Sequence, residues 1–145
     1  MIIQTGSEKG TIGSAGVCTK DGCRYVDNGD HEPNVIYMQG EWDQEKEFVQ
    51  HTSDREGYIL VLCKAKEVGV KMEASGKIEA DIFLDGKPLT KENAGKDVKI
   101  SGKRSYVVVG KKGICNIVKM KKSENHEVKI VTNSSTFRIY KYTLA

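Results

Sequence analysis

A chain of 145 residues that is 38% apolar and 30% charged is long enough to bury one core without staples, and it reads as a single soluble globular domain, residues 1–145. No apolar run approaches the ~20 residues of a bilayer-spanning helix, and the opening MIIQTGSEKG has no basic stretch leading into an apolar one, so no secretory leader is read in it. The net charge of +3 is unevenly spread: residues 1–98 hold 12 basic and 18 acidic side chains, residues 99–145 hold 11 basic and 2 acidic, yet the late lysines alternate with apolar residues instead of clustering with aromatics, so nucleic acid is not an expected partner.

Residues 1–20 are rich in Gly, Ser and Thr; 1–15 read as a mobile N-terminal segment and Gly16–Thr19 as a first edge strand. Cys18 and Cys23 enclose Thr-Lys-Asp-Gly, a loop short enough for a disulfide. Free thiols and metal remain alternatives there, although Cys18, Cys23 and His31 supply at most three zinc ligands and no Cys-x-x-Cys is present. Asp27-Asn28-Gly29-Asp30 is dense in side-chain oxygens but lacks the calcium-loop spacing, which makes it an ordinary turn. Asn34–Gln39 is a strand, followed by Gly40-Glu41 and the only tryptophan, Trp42. Within Asp43–Thr52 the alternation of Phe48, Gln50 and Thr52 with Glu47, Val49 and His51 favours a strand over Lys46–His51.

The chain is organised around Gly57–Leu89. Tyr58–Ala65 is apolar on both faces, which places it inside a sheet and buries Cys63. Val68, Val70 and Met72 then alternate with Gly69, Lys71 and Glu73, and Ile78, Ala80, Ile82 and Leu84 alternate with Glu79, Asp81 and Phe83. Asp85-Gly86 is a tight-turn dipeptide. Thr90–Lys96 is a polar loop, and Val98–Ser101, Ser105–Val109, Ile114–Met120, Glu127–Thr132 and Thr136–Tyr142 are the remaining strands. Nine or ten short strands with turn residues between them and no helical periodicity give an all-β, antiparallel β-sandwich.

Several groups of residues resemble the C-terminal domain that follows the thioredoxin-like domain in DipZ-type cytochrome c biogenesis and thioredoxin-family proteins. They are Gly40-x-Trp42 with Glu47; Ala65-x-x-Val68-x-Val70-x-Met72; Leu84-Asp85-Gly86-x-Pro88; Gly95-x-Asp97-Val98; Ile117-Val118 before His126; and the closing run Phe137–Leu144. The resemblance covers roughly residues 35–145. It implies a jelly-roll-like sandwich related in shape to carbohydrate-binding modules, and an extracytoplasmic location if the chain is part of a DipZ-type protein. The chain departs from the family at Ile114-Cys115, where a Leu-Tyr pair is usual, and it carries neither a thioredoxin domain nor a Cys-x-x-Cys.

His31, His51 and His126 lie far apart in sequence, and neither GSEKG nor GKKG matches a phosphate-cradling loop, so the chain reads as non-catalytic and without a cofactor. Sugar rings stack their C–H faces on aromatic side chains, while their hydroxyls take amide, carboxylate and guanidinium partners. The aromatic residues for that role are Trp42, Tyr37, Tyr58 and Tyr106, with Tyr25 a further candidate; the competing reading of Trp42 is that it plugs one end of the sandwich together with Phe48. The expected partners are an oligosaccharide or a thioredoxin-like protein domain. The alternative is a small redox- or metal-responsive protein working through Cys18 and Cys23.

Overall fold

A computed structural model describes residues 1–145 as twelve strands and no helix. They are β1 (Ile2–Gln4), β2 (Ala15–Thr19), β3 (Gly22–Val26), β4 (Ile36–Gln44), β5 (Val49–His51), β6 (Gly57–Glu73), β7 (Ile78–Leu84), β8 (Lys87–Pro88), β9 (Lys99–Ser101), β10 (Arg104–Val109), β11 (Gly113–Thr132) and β12 (Arg138–Leu144). Every ladder between named strands is antiparallel, and the fold is an all-β sandwich.

Three strands pass from one layer to the other. The first half of β6 pairs with β4 at Ile36–Gln39 and with β11 at Glu127–Thr132, and from there the larger layer continues through β7, β10 and β9. The second half of β6 pairs with the start of β11 and with β12, whose far edge takes β1 and β5. β4 joins the two as well, pairing with β6 early and with β5 at Trp42–Gln44.

The sequence marks the crossing of β6 by a change of parity. Ile59, Val61, Cys63 and Ala65 are buried, then Lys66 and Glu67 are exposed, and Val68, Val70 and Met72 are buried. The inward side thus moves from odd to even positions, and β11 shifts register opposite this point, between Lys119 and Glu124. At the bend the backbone N–H groups of Lys66 and Glu67 both donate to the Ala145 carbonyl, at 2.8 and 3.1 Å. Tyr58–Ala65 is interior as expected, between β4 and β11, and Cys63 is 2% exposed. Burial raises the Cys63 thiol pKa to about 11.

The two long strands are where the structure departs from a set of short ones. The segments read as Tyr58–Ala65 and Val68–Met72 are one strand of 17 residues, and Ile114–Met120 and Glu127–Thr132 belong to one of 20. Residues 1–15, expected as a mobile segment, contain β1, and Thr5 is fully buried with its hydroxyl donating toward the Ile139 and Tyr140 carbonyls.

Candidate functional site

The outward face of the larger layer gathers aromatic and charged side chains in register. Tyr58 on β6 stands opposite Val131 on β11, Val131 opposite Asp81 on β7, Asp81 opposite Tyr106 on β10, and Tyr106 opposite Lys99 on β9. The next row runs Tyr37, Leu60, Lys129, Phe83. At ~4.8 Å per strand, Tyr58 and Tyr106 are roughly 14 Å apart along the first row, with Phe83 between them in the second.

Tyr58, Phe83 and Tyr106 each carry a cation. The Lys129 ammonium lies 4.9 Å from the Tyr58 ring centre and 5.4 Å from that of Phe83, and the Arg104 guanidinium lies 4.5 Å from that of Tyr106. Arg104 also donates to Asp81 at 2.8 Å and to Glu79 at 3.1 Å, which compensates its charge and fixes its plane. An open groove of about 530 Å³ lies alongside, bounded by Glu56, Glu79, Asp81, Arg104, Val131 and Asn133. Amide, carboxylate and guanidinium groups next to half-exposed rings are the chemistry a sugar's hydroxyls and C–H face require.

One end of this face is closed by the loop between β3 and β4, through a buried polar cluster. The Asp27 carboxylate accepts from the Tyr58 hydroxyl at 2.6 Å and from Gly29 N–H at 3.1 Å, and it faces His31 Nε2 at 2.8 Å. His31 Nδ1 meets Glu127 on β11. Asp27 and His31 side chains are 2% and 7% exposed, so these charges are paired out of water. Burial alone would raise the Asp27 pKa, but the hydrogen bonds from Tyr58, Gly29 and His31 outweigh it and hold the carboxyl below its usual range. Burial alone would lower the His31 pKa, but the hydrogen bonds to Glu127 and Asp27 outweigh it and raise it above the ordinary value. The cluster thereby fixes the hydroxyl end of Tyr58 and the orientation of its ring.

Two of the four aromatic residues read as stacking platforms are corrected by their burial. Trp42 is fully buried, lying on β4 and not in a loop, with its indole N–H donating to the Gln39 carbonyl at 3.0 Å and its ring 5.0 Å from His51 and 6.5 Å from Phe137. It does plug the sandwich, but with His51 and Phe137; Phe48 lies elsewhere, against Tyr140 at 5.2 Å. Tyr37 is 4% exposed because His31 sits 4.6 Å from its ring and Gly13 lies directly on it, where a Cβ would come within 2.6 Å of the ring. Tyr25 is buried too. Tyr58 and Tyr106 remain, half-exposed and in one row.

Phe83, Lys129, Asp81 and Arg104 were not singled out from the sequence. The one trace of Phe83 in the sequence is its outward position on an alternating strand. Cys18 and Cys23 are opposite each other in the β2–β3 ladder and joined by a disulfide, with Cα atoms 4.0 Å apart. With both sulfurs bonded and both His31 nitrogens engaged by carboxylates, the three are not assembled as a zinc set.

Comparison with known proteins places this geometry in a context. A family model described as "Thioredoxin like C-terminal domain" matches residues 5–144. Among solved structures the chain is similar to a family two carbohydrate esterase from Cellvibrio japonicus, with a TM-score of 0.58 and 14% identity over 75% of this chain and 30% of that one. At that identity the likeness is one of fold, and this chain corresponds to less than a third of the esterase's length. No curated protein sequence matches.

Proposed function

The chain belongs to the family of thioredoxin-like C-terminal domains, and on that premise we propose that it is a non-catalytic accessory domain that binds a glycan across the outward face of its larger layer, for a protein with a thioredoxin-like redox domain of the DipZ type. The observation that carries this reading is the row Tyr58–Val131–Asp81–Tyr106 with Phe83 beside it. It presents half-exposed rings, each oriented by a cation, next to carboxylates and a guanidinium already paired with one another. Because the two cations of the row, Lys129 and Arg104, are matched in number by the carboxylates Asp81 and Glu79, the row suits an uncharged sugar chain. A shallow site of this kind leaves hydroxyls partly hydrated, so dissociation constants of about micromolar to millimolar are expected.

The test is a screen of neutral oligosaccharides by NMR shifts, with Tyr106→Ala and Phe83→Ala as controls. Binding that is lost in both variants supports the reading. If nothing binds at millimolar sugar, the glycan role fails, and the domain's role becomes docking to a thioredoxin-like partner, to be assayed by pull-down.

One observation favours a second, redox reading. The Cys18–Cys23 disulfide lies on a hairpin at the sheet edge, and every residue of β2 is exposed, Val17 at 71%. A dithiol reductant therefore has open access to it. Thiol counting in denatured, non-reduced protein is expected to find two thiols, Cys63 and Cys115, and exposure to a Cys-x-x-Cys dithiol is expected to raise the count to four. An unchanged count would remove this reading.

A further inference from the structure

The outward face of the smaller layer carries a different assembly. Five lysines converge on one groove of about 300 Å³ from five parts of the chain: Lys9 after β1, Lys46 between β4 and β5, Lys71 on β6, Lys112 before β11, and Lys141 on β12. Three of the five come from residues 1–98, the net-acidic part of the sequence, so the uneven charge along the chain does not produce the cluster. Two glutamates, Glu8 and Glu47, also line the groove, which leaves an excess of positive charge.

Three features show that this grouping is held in place against its own repulsion. Lys71 and Lys141 are direct partners across the β6–β12 ladder, an arrangement in which like charges destabilise a sheet. A bulge in β12 between Ile139 and Lys141 leaves Tyr140 without a cross-strand partner, so Tyr140 and Lys141 both line the groove although they are neighbours in sequence. The Tyr140 hydroxyl donates to Glu73 at 2.7 Å, and the ammoniums of Lys112 and Lys71 sit 4.6 and 5.7 Å from its ring centre. Finally, the N–H groups of Ser7 and Glu8 donate to the Glu45 and Lys46 carbonyls, which binds the loop bearing Lys9 to the turn bearing Lys46. Gly6 allows that approach, for a Cβ there would lie 2.2 Å from the Lys46 carbonyl oxygen. No lysine of the chain forms an ion pair, so what sets this groove apart is the excess of five ammoniums over two carboxylates in its lining.

We propose that this groove is a second binding site, for an anionic glycan bearing carboxylate, sulfate or phosphodiester groups. The unpaired ammoniums supply the charge partner. Gln4, Glu8 and Glu47 line the same groove and take hydroxyls, which a sugar has and a purely acidic peptide lacks. Tyr140 is the groove's one hydrophobic residue, so an apolar peptide side chain finds little to bury against. The proposal concerns the opposite face from the neutral-glycan row and does not rest on it.

The experiment titrates the whole chain with oligogalacturonate, a sulfated oligosaccharide and a glycerol-phosphate oligomer, at low and high salt. A neutral oligosaccharide and poly-glutamate serve as comparisons. At least one anionic glycan is expected to bind and to weaken with salt, with affinity falling about tenfold or more in Lys71→Gln/Lys141→Gln, as loss of charge-assisted bonds predicts. The denaturant midpoint of that variant is expected to stay level or rise, since a repulsion is removed, and Tyr106→Ala is expected to bind as the wild type does. Failure of all three anionic glycans overturns the proposal. So does equal or tighter binding of poly-glutamate, loss of neutral-chain binding in the double variant, a double variant that binds the anionic glycan unchanged, a fall in its midpoint, or dependence on Tyr106.

Discussion

The two outward faces of the sandwich are built from the same parts and differ in how the charges are settled. On the larger layer, Arg104 covers Tyr106 and is neutralised by Asp81 and Glu79. On the smaller layer, Lys71 and Lys112 cover Tyr140 without an ion pair, and the five lysines of the groove outnumber its two glutamates. A cation over a ring is thus not itself a mark of ligand type. What separates a face suited to an uncharged chain from one suited to a polyanion is whether the protein supplies the counter-charge itself.

This contrast holds only if both faces can be changed without disturbing the core between them, and the largest effects should therefore come from residues on neither face. Trp42→Ala is expected to cost about 3–5 kcal/mol in a denaturant melt, because a fully buried indole leaves a cavity. A loss under ~1 kcal/mol would mean that Trp42 is not the plug described here. Cys63→Ser is expected to cost about 1–3 kcal/mol, as a hydroxyl in that apolar place has no assured partner. A change below ~0.5 kcal/mol would count against its burial.

The two buried histidines sharpen the comparison through pH. His51 is fully buried against Trp42, and that burial lowers its pKa in spite of the Ser134 carbonyl it meets at 2.9 Å. The unfolded chain therefore takes the proton more readily, and stability is full above the ordinary value of ~6.5 and falls as pH drops below it. His31 is shifted upward, so its contribution is full below ~6.5 and is lost as pH rises through its raised value. His51→Gln should flatten the acid side of a stability–pH curve and His31→Gln the alkaline side. The same flattening from both would show that the two rings are not differently charged. The smallest stability effect is expected from Tyr106→Ala, about 0.5 kcal/mol or less for a half-exposed ring, although it should remove glycan binding.

Much of the fold was legible because burial leaves periodicity in the sequence. The two-sided apolar run Tyr58–Ala65 marked the interior strand, and the alternation at Ile78–Leu84 put Phe83 on the outside. What hid the crossing of β6 was the parity change at Lys66-Glu67, which looks like a turn when only side-chain character is read. The strand read as ending at Gln39 left Trp42 outside it; Gly40, at φ 103°, instead lets β4 continue past Gly57 on β6, and Trp42 takes its competing reading as a plug. The site was less legible still. Asp27 and His31 lie four apart, but Glu127 is 96 residues from His31, and the five lysines of the groove come from two strands and three connections. Such groupings follow from register, which no local pattern encodes.

The most direct test of the account is an amide and side-chain NMR shift map of the labelled chain titrated with the neutral oligosaccharide that scores highest in the screen. Perturbations are expected to centre on Tyr58, Asp81, Phe83, Tyr106 and Val131, with Trp42 and the residues around Tyr140 unmoved. Perturbations centred on the lysine groove, or on the Trp42 end of the sandwich, with the Tyr58–Tyr106 row silent, would contradict it.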